Sequence, residues 1–134
     1  MTKILVAADA QWVRDQVRSA LVGSGTEVIE VTRGQDVRPT IAREQLDLVV
    51  LDLQIANMGG IAVAIDLHLE AAAGRVPEVP ILLLLDREAD RFLARRADAD
   101  AELVKPTDPG TMRRTVRQLL AARASTPEAD TADR

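Results

Sequence analysis

Cysteine is absent from the 134-residue sequence, which excludes disulfides, thiolate metal sites and cysteine nucleophiles. Histidine occurs once, as His68, so no histidine pair is available for a metal ion, and a solvent-facing place on its helix is the expectation. No apolar run approaches the length of a membrane span, and Ile4 to Ala8, behind the basic start, is too short for a secretory signal. An excess of positive charge is also lacking. The net charge of -4 offers no broad attraction to nucleic acid or anionic lipid, and these absences together point to a cytoplasmic protein with neither nucleic-acid nor membrane partners. Finally, "AADAQ" follows the first apolar run where a glycine-rich phosphate loop would stand, which leaves an enzyme or binder of phosphate-bearing cofactors without its usual cradle.

What is present fits one globular domain. Hydrophobic residues make up 47% of the chain and charged residues 28%, and the length suits a single core. Strand-like apolar runs occur at Lys3 to Ala8, Glu27 to Val31, Leu48 to Leu51, Ile81 to Leu85 and Glu102 to Val104. Between them the apolar period becomes helical: Val13, Val17, Ala20 and Leu21; Val37 and Ile41; Ile61, Ile65 and Leu69; Ala89, Phe92 and Leu93; and Met112, Val116, Leu119 and Leu120. Glycine and proline lie at the joints. Five strands alternating with five helices imply right-handed crossovers, hence an α/β doubly wound parallel sheet. The unbroken apolar character of Leu48 to Leu51 and Ile81 to Leu85 marks central strands buried on both faces. Residues 125–134, "STPEADTADR", carry no large apolar residue and are expected to be a disordered tail after a domain of residues 1–124.

In such sheets ligands gather at the carboxyl ends of the strands. Asp9, Asp52 and Lys105 follow the first, third and fifth apolar runs and would meet there. Singly they read as a helix cap, a turn residue and a buried salt bridge. Jointly they suit an anionic ligand, because a divalent cation can be shared by carboxylates and a phosphoryl group while lysine adds a point charge.

The stretches "KILVAAD", "DLVVLDLQIANMGG", "PILLLLD" and "ELVKP", in that order, resemble the receiver domain of bacterial two-component response regulators across roughly residues 2 to 122. The resemblance implies a flavodoxin-like sheet of order 2-1-3-4-5, magnesium-dependent phosphoryl transfer from a histidine kinase or small donor onto an aspartate, and a conformational switch. Carried over, Asp52 falls on the phosphoacceptor and Lys105 on the lysine that contacts the phosphoryl group. Asp9, Asp52 and the backbone carbonyl of Gln54 fall on the magnesium ligands. Several positions depart from the pattern. Ala8 stands in place of the first acid, which weakens the magnesium site. Leu85 stands where a Thr or Ser hydroxyl would contact the phosphoryl group, followed by Asp86 in place of a small residue, and Glu102 replaces the switching aromatic. A one-residue slip of the fourth strand would instead bring Asp86 to the hydroxyl position, within reach of Lys105 or a cation, though breaking the Ile81 to Leu85 run would forfeit buried area. Ala56 and Gly59 replace a proline and an acid while Gly60 keeps the expected glycine, and the consecutive Gly59 and Gly60 suggest a mobile loop.

The remaining candidates have plainer readings. Trp12, the only tryptophan, is expected to pack, with shielding of the acidic cleft as the alternative. "DREADRFLARRADAD" reads as a solvated, mixed-charge helix. Arg113, Arg114 and Arg117 make one side of the last helix basic, for an acidic partner or for neighbouring carboxylates. The resulting expectation is a stand-alone, atypical receiver working through protein–protein contacts on the face of helix 4, strand 5 and helix 5, with a homodimer left open. Its chemistry would be limited to self-phosphorylation and autodephosphorylation. A phosphate relay or sink for a histidine kinase is the alternative.

Overall fold

The computed structural model describes residues 1–55 and 57–125. Strands β1 (Thr2–Ala7), β2 (Thr26–Val31), β3 (Leu48–Asp52), β4 (Ile81–Leu85) and β5 (Ala101–Val104) alternate with helices α1 (Gln11–Leu21), α2 (Val37–Arg43), α3 (Gly60–Ala72), α4 (Arg91–Arg96) and α5 (Pro109–Ser125). Short 3-10 turns at Gly34–Asp36 and Glu88–Asp90 lead into α2 and α4. The strands pair in parallel in the order β2-β1-β3-β4-β5. This is the doubly wound parallel sheet expected from the alternation, in the flavodoxin-like order that the resemblance implied. Strand order reverses between β1 and β3, so a crevice opens at their carboxyl ends. Ser125, expected to begin the tail, is the last residue of α5; residues 126–134 and the departure at Ala56 lie outside the described residues. Among the described residues no helix is long and apolar enough to cross a membrane.

The period of two along each strand divides the core into two layers. Leu5, Ala7, Val49, Leu51, Leu83 and Leu85 pack with residues of α2, α3 and α4. Ile4, Val6, Leu48, Val50, Leu82 and Leu84 pack with Val13 and Val17 of α1 and Met112 and Val116 of α5. Burying each of these large side chains contributes about 1.5–3 kcal/mol.

Two helices turn a different face inward than their spacing suggested. α3 buries Val63, Ala64 and Leu67, and leaves Ile65 44% and Leu69 64% exposed. The helix is apolar on nearly every side, so several stripes compete, and its start decides its rotation. A β-carbon on Gly60 would lie 2.3 Å from the Asp52 carbonyl oxygen, so only glycine lets the helix begin this close to β3. Gly60 is therefore required by a close approach, and its N–H donates to the Leu53 carbonyl at 3.2 Å. Ala94 of α4 and Ala97 just beyond its end face the core while Phe92 is 50% exposed. Small residues let this short helix sit close to the sheet. Its lead-in turn is held by the buried Asp90 carboxylate, which accepts from the Arg87 N–H at 3.0 Å.

His68 is only partly exposed, and its Nε2 lies 2.9 Å from the Asp98 carbonyl oxygen. The lone histidine thus ties α3 to the loop before β5 instead of facing open solvent.

Candidate functional site

Asp52 ends β3, two residues beyond Val50 and four beyond Leu48, so it points to the α1 and α5 side of the sheet. It is 1% exposed. A carboxylate so buried needs partners, and it has them: the Lys105 ammonium donates to Asp52 Oδ1, and the Gln54 backbone N–H approaches the same oxygen at 3.4 Å. Lys105 follows β5, where its own N–H donates to the Leu85 carbonyl at 2.8 Å, and the Lys105–Pro106 peptide is cis. Its side chain is almost fully buried.

A second carboxylate shares that lysine. Asp86 Oδ1 lies 3.0 Å from Lys105 Nζ, and Asp86 Oδ2 accepts from the Gln54 side-chain amide at 2.9 Å. Trp12 completes the surround, with Lys105 Nζ 5.9 Å from its ring centroid, at the outer reach of a cation–π contact. Trp12 is 53% exposed, so it covers the lysine where packing into the core was expected.

Burial pushes the Asp52 carboxyl up, and the Asp86 charge adds to this, although hydrogen bonds and charge from Lys105 and the Gln54 N–H pull the other way. For Lys105, burial pulls downward, but hydrogen bonds to Asp52 and Asp86 outweigh it and hold the ammonium above its ordinary value. The Gln54 amide, followed by Lys105, holds Asp86 below the usual carboxylate range.

The strand register near Leu85 is unslipped. β4 runs unbroken from Ile81 to Leu85, and Leu85 pairs with Val104. Leu85 is fully buried in the layer that holds Ala94 and Ala97. Asp86 still reaches Lys105, from the first position of the loop, so the contact expected of a slipped strand forms without the slip. Glu102 of β5 pairs with Arg91 of α4 at 3.5 Å.

Asp9 is exposed at the end of β1, and Ala8 beside it is fully buried in the α1 and α5 layer. What organises this loop is Arg14, a residue that motif reading passed over. Arg14 Nη1 donates to the carbonyls of Ala8 and Asp9 at 2.9 and 2.8 Å, and Arg14 Nε donates to Glu30 at 3.2 Å. An arginine in the first turn after a carboxyl-end loop was the available signal. The structure therefore joins Asp52, Gln54, Asp86 and Lys105 directly and leaves Asp9 at the rim. Among the described residues no three His, Asp or Glu side chains converge as a metal-holding group.

The basic side of α5 is divided. Arg113 and Arg117 line a groove of about 250 Å³ with Ala20, Leu21 and Val22, on the α1 side of the sheet. Arg114 donates to Thr111 Oγ1 at 3.2 Å. Two of the three arginines thus lie away from α4.

Residues 4–117 match the family model described as response regulator receiver domain. The chain is 33% identical over 132 residues to the KDP operon transcriptional regulatory protein KdpE of Escherichia coli K12, covering 97% of this chain and 56% of that protein. It is 26% identical to Protein PilH of Pseudomonas aeruginosa PAO1, over 90% of this chain and 99% of that one. Against the BeF3-activated N-terminal receiver domain of Klebsiella pneumoniae RstA the TM-score is 0.76 at 28% identity, covering 89% of this chain and 98% of that chain. The chain spans about half the length of the first curated relatives it matches.

Proposed function

Because the chain belongs to the response regulator receiver family of two-component signalling, we propose that it is an atypical receiver that takes a phosphoryl group on Asp52 and acts through protein contacts. The observation carrying this reading is the burial of Asp52 at the end of β3 with the Lys105 ammonium directly on its carboxylate. In the transfer, an Asp52 carboxylate oxygen attacks the phosphorus of a phosphohistidine or a small acyl phosphate. The phosphorus bond to the donor nitrogen or oxygen breaks, its electron pair leaves with the donor, and Asp52 becomes an acyl phosphate. Lys105 supplies fixed positive charge for the phosphoryl oxygens. Water can reverse the modification, releasing inorganic phosphate and restoring the carboxylate. We propose no turnover of any outside substrate beyond this, and a cytoplasmic setting.

Magnesium suits the donor set. Asp9, Asp52 and the Gln54 carbonyl are oxygen ligands, and an ion that keeps several waters needs only one or two carboxylates beside a phosphate. When bound, it would neutralise charge on the transferring group. With Ala8 in place of an acid, affinity should fall without vanishing.

The means of reporting modification differ from those of the family. Leu85 has no hydroxyl and is locked in the core, and Glu102 is tied to Arg91. For partner contact we propose the face of α4, β5 and α5, around half-exposed Phe92; a homodimer would use the same face. The absent hydroxyl favours a second reading, a phosphate relay or sink in which transfer matters and switching does not.

Incubation with Mg2+ and acetyl phosphate, followed by intact-mass measurement, tests both. One phosphoryl adduct should form and be missing in Asp52→Asn. A wild-type chain that never forms it would instead be a phosphorylation-independent adaptor. Rapid loss of the adduct to a cognate kinase would select the relay.

A further inference from the structure

The pocket above Asp52 already contains an anion belonging to the chain itself. A lysine ammonium has three donors; one is spent on Asp52 and one on Asp86, and the Trp12 ring lies over it. Both Asp86 oxygens are engaged, the second by the Gln54 amide at 2.9 Å. Gln54 belongs to the loop after β3 and Asp86 to the loop after β4, so their hydrogen bond closes two loops over Asp52. The clasp is unevenly buried: Asp52 and Lys105 are sealed in, whereas the Asp86 side chain keeps about a third of its surface in solvent. It can therefore swing outward while the other two cannot.

We propose that Asp86 is an internal competitor for Lys105, occupying it at rest as an incoming phosphoryl group would and having to leave before transfer. The proposal rests on the reading of Asp52 as phosphoacceptor. Opening the clasp requires an input that a small, diffusing phosphodonor supplies poorly and a docked protein donor supplies through its interface. Asp86 is thus a specificity-determining residue that favours a protein donor over free acyl phosphates.

The sequence offers a clean probe, because Lys3 and Lys105 are its only lysines. Reductive methylation followed by peptide mass mapping reads Lys105 against Lys3 in the same molecule. Asp86→Asn and Asp86→Ala should raise Lys105 labelling several-fold relative to Lys3, and Gln54→Ala should do so more weakly. The same variants should take the phosphoryl group from acetyl phosphate with Mg2+ several-fold faster than wild type. Unchanged Lys105 labelling in both Asp86 variants overturns the proposal. So does increased labelling with no gain in uptake over a wild type that is itself modified. Increased labelling with no adduct on any form overturns the acceptor reading, and competition with it.

Discussion

At the residue scale, Gly60 shows how directly the placing of Asp52 depends on its neighbours. A methyl group there would press on the Asp52 carbonyl oxygen at 2.3 Å, and neither backbone can give way without shifting β3 or the start of α3. Gly60→Ala should therefore destabilise the fold by about 1–3 kcal/mol, the usual cost of overpacking a tight contact, and lower the urea midpoint. Because the clash falls on Asp52 itself, phosphoryl uptake should fall as well, whereas a substitution at exposed Gly23 should change neither. Asp52 and Lys105 were legible as site residues from their positions after apolar runs. Asp86 was legible only as an alternative, since strand register alone sends Leu85 and Asp86 to different surroundings. The shielding by Trp12 was legible only as the lesser reading and the grip of Arg14 on the Ala8–Asp9 carbonyls was not legible, because each depends on the direction a long side chain takes across a loop.

At the element scale, α2 and α3 are joined by ion pairs that apolar patterning does not reveal. Arg38 of α2 reaches Asp66 at 2.9 Å and Glu70 at 2.7 Å, and Arg75 closes on Glu70 from the loop beyond α3. The Arg75 hydrogen bond, followed by the charges of Arg38 and Arg75, holds the Glu70 carboxyl below its ordinary value. A carboxylate whose folded value is depressed stabilises the protein above its unfolded value and loses that contribution as pH falls through the folded one. Stability should accordingly drop as pH falls below about 4.5, the ordinary Glu value. Glu70→Gln should be less stable than wild type at neutral pH and lose less on acidification; urea midpoints at pH 7 and pH 3.5 would measure both. The rotations of α3 and α4 escaped sequence reading for a related reason. Ile65, Leu69 and Phe92 lie on plausible apolar stripes, but Gly60, Ala94 and Ala97 set how closely each helix meets the sheet.

At the scale of the whole molecule, β4 runs from the site to the α4–β5 face, and the proposed loss of conventional switching is a prediction about that path. Leu85 is buried in the same core layer as Ala94 and Ala97, and Glu102 pairs with Arg91. Neither Leu85 nor Glu102 carries a hydroxyl that could donate to a phosphoryl oxygen. Adding Mg2+ and beryllofluoride should therefore shift backbone amide resonances in the loops around Asp9, Asp52 and Asp86 while leaving α4 and β5 in place. Shifts spreading through Arg91–Arg96 and Ala101–Val104 would show that the switch operates by another route.

The linear sequence determined the element order, the parallel sheet and the edge where Asp9, Asp52 and Lys105 gather. Alternating hydrophobic periods and strand-end positions are local properties of a chain, and right-handed crossovers convert them into topology. Only the tertiary structure decided that Asp86 shares Lys105 with Asp52, that Gln54 closes the pocket and that Asp9 stays at the rim. Those contacts join residues 19 to 53 positions apart in sequence, and their geometry is set by how closely the helices seat on the sheet.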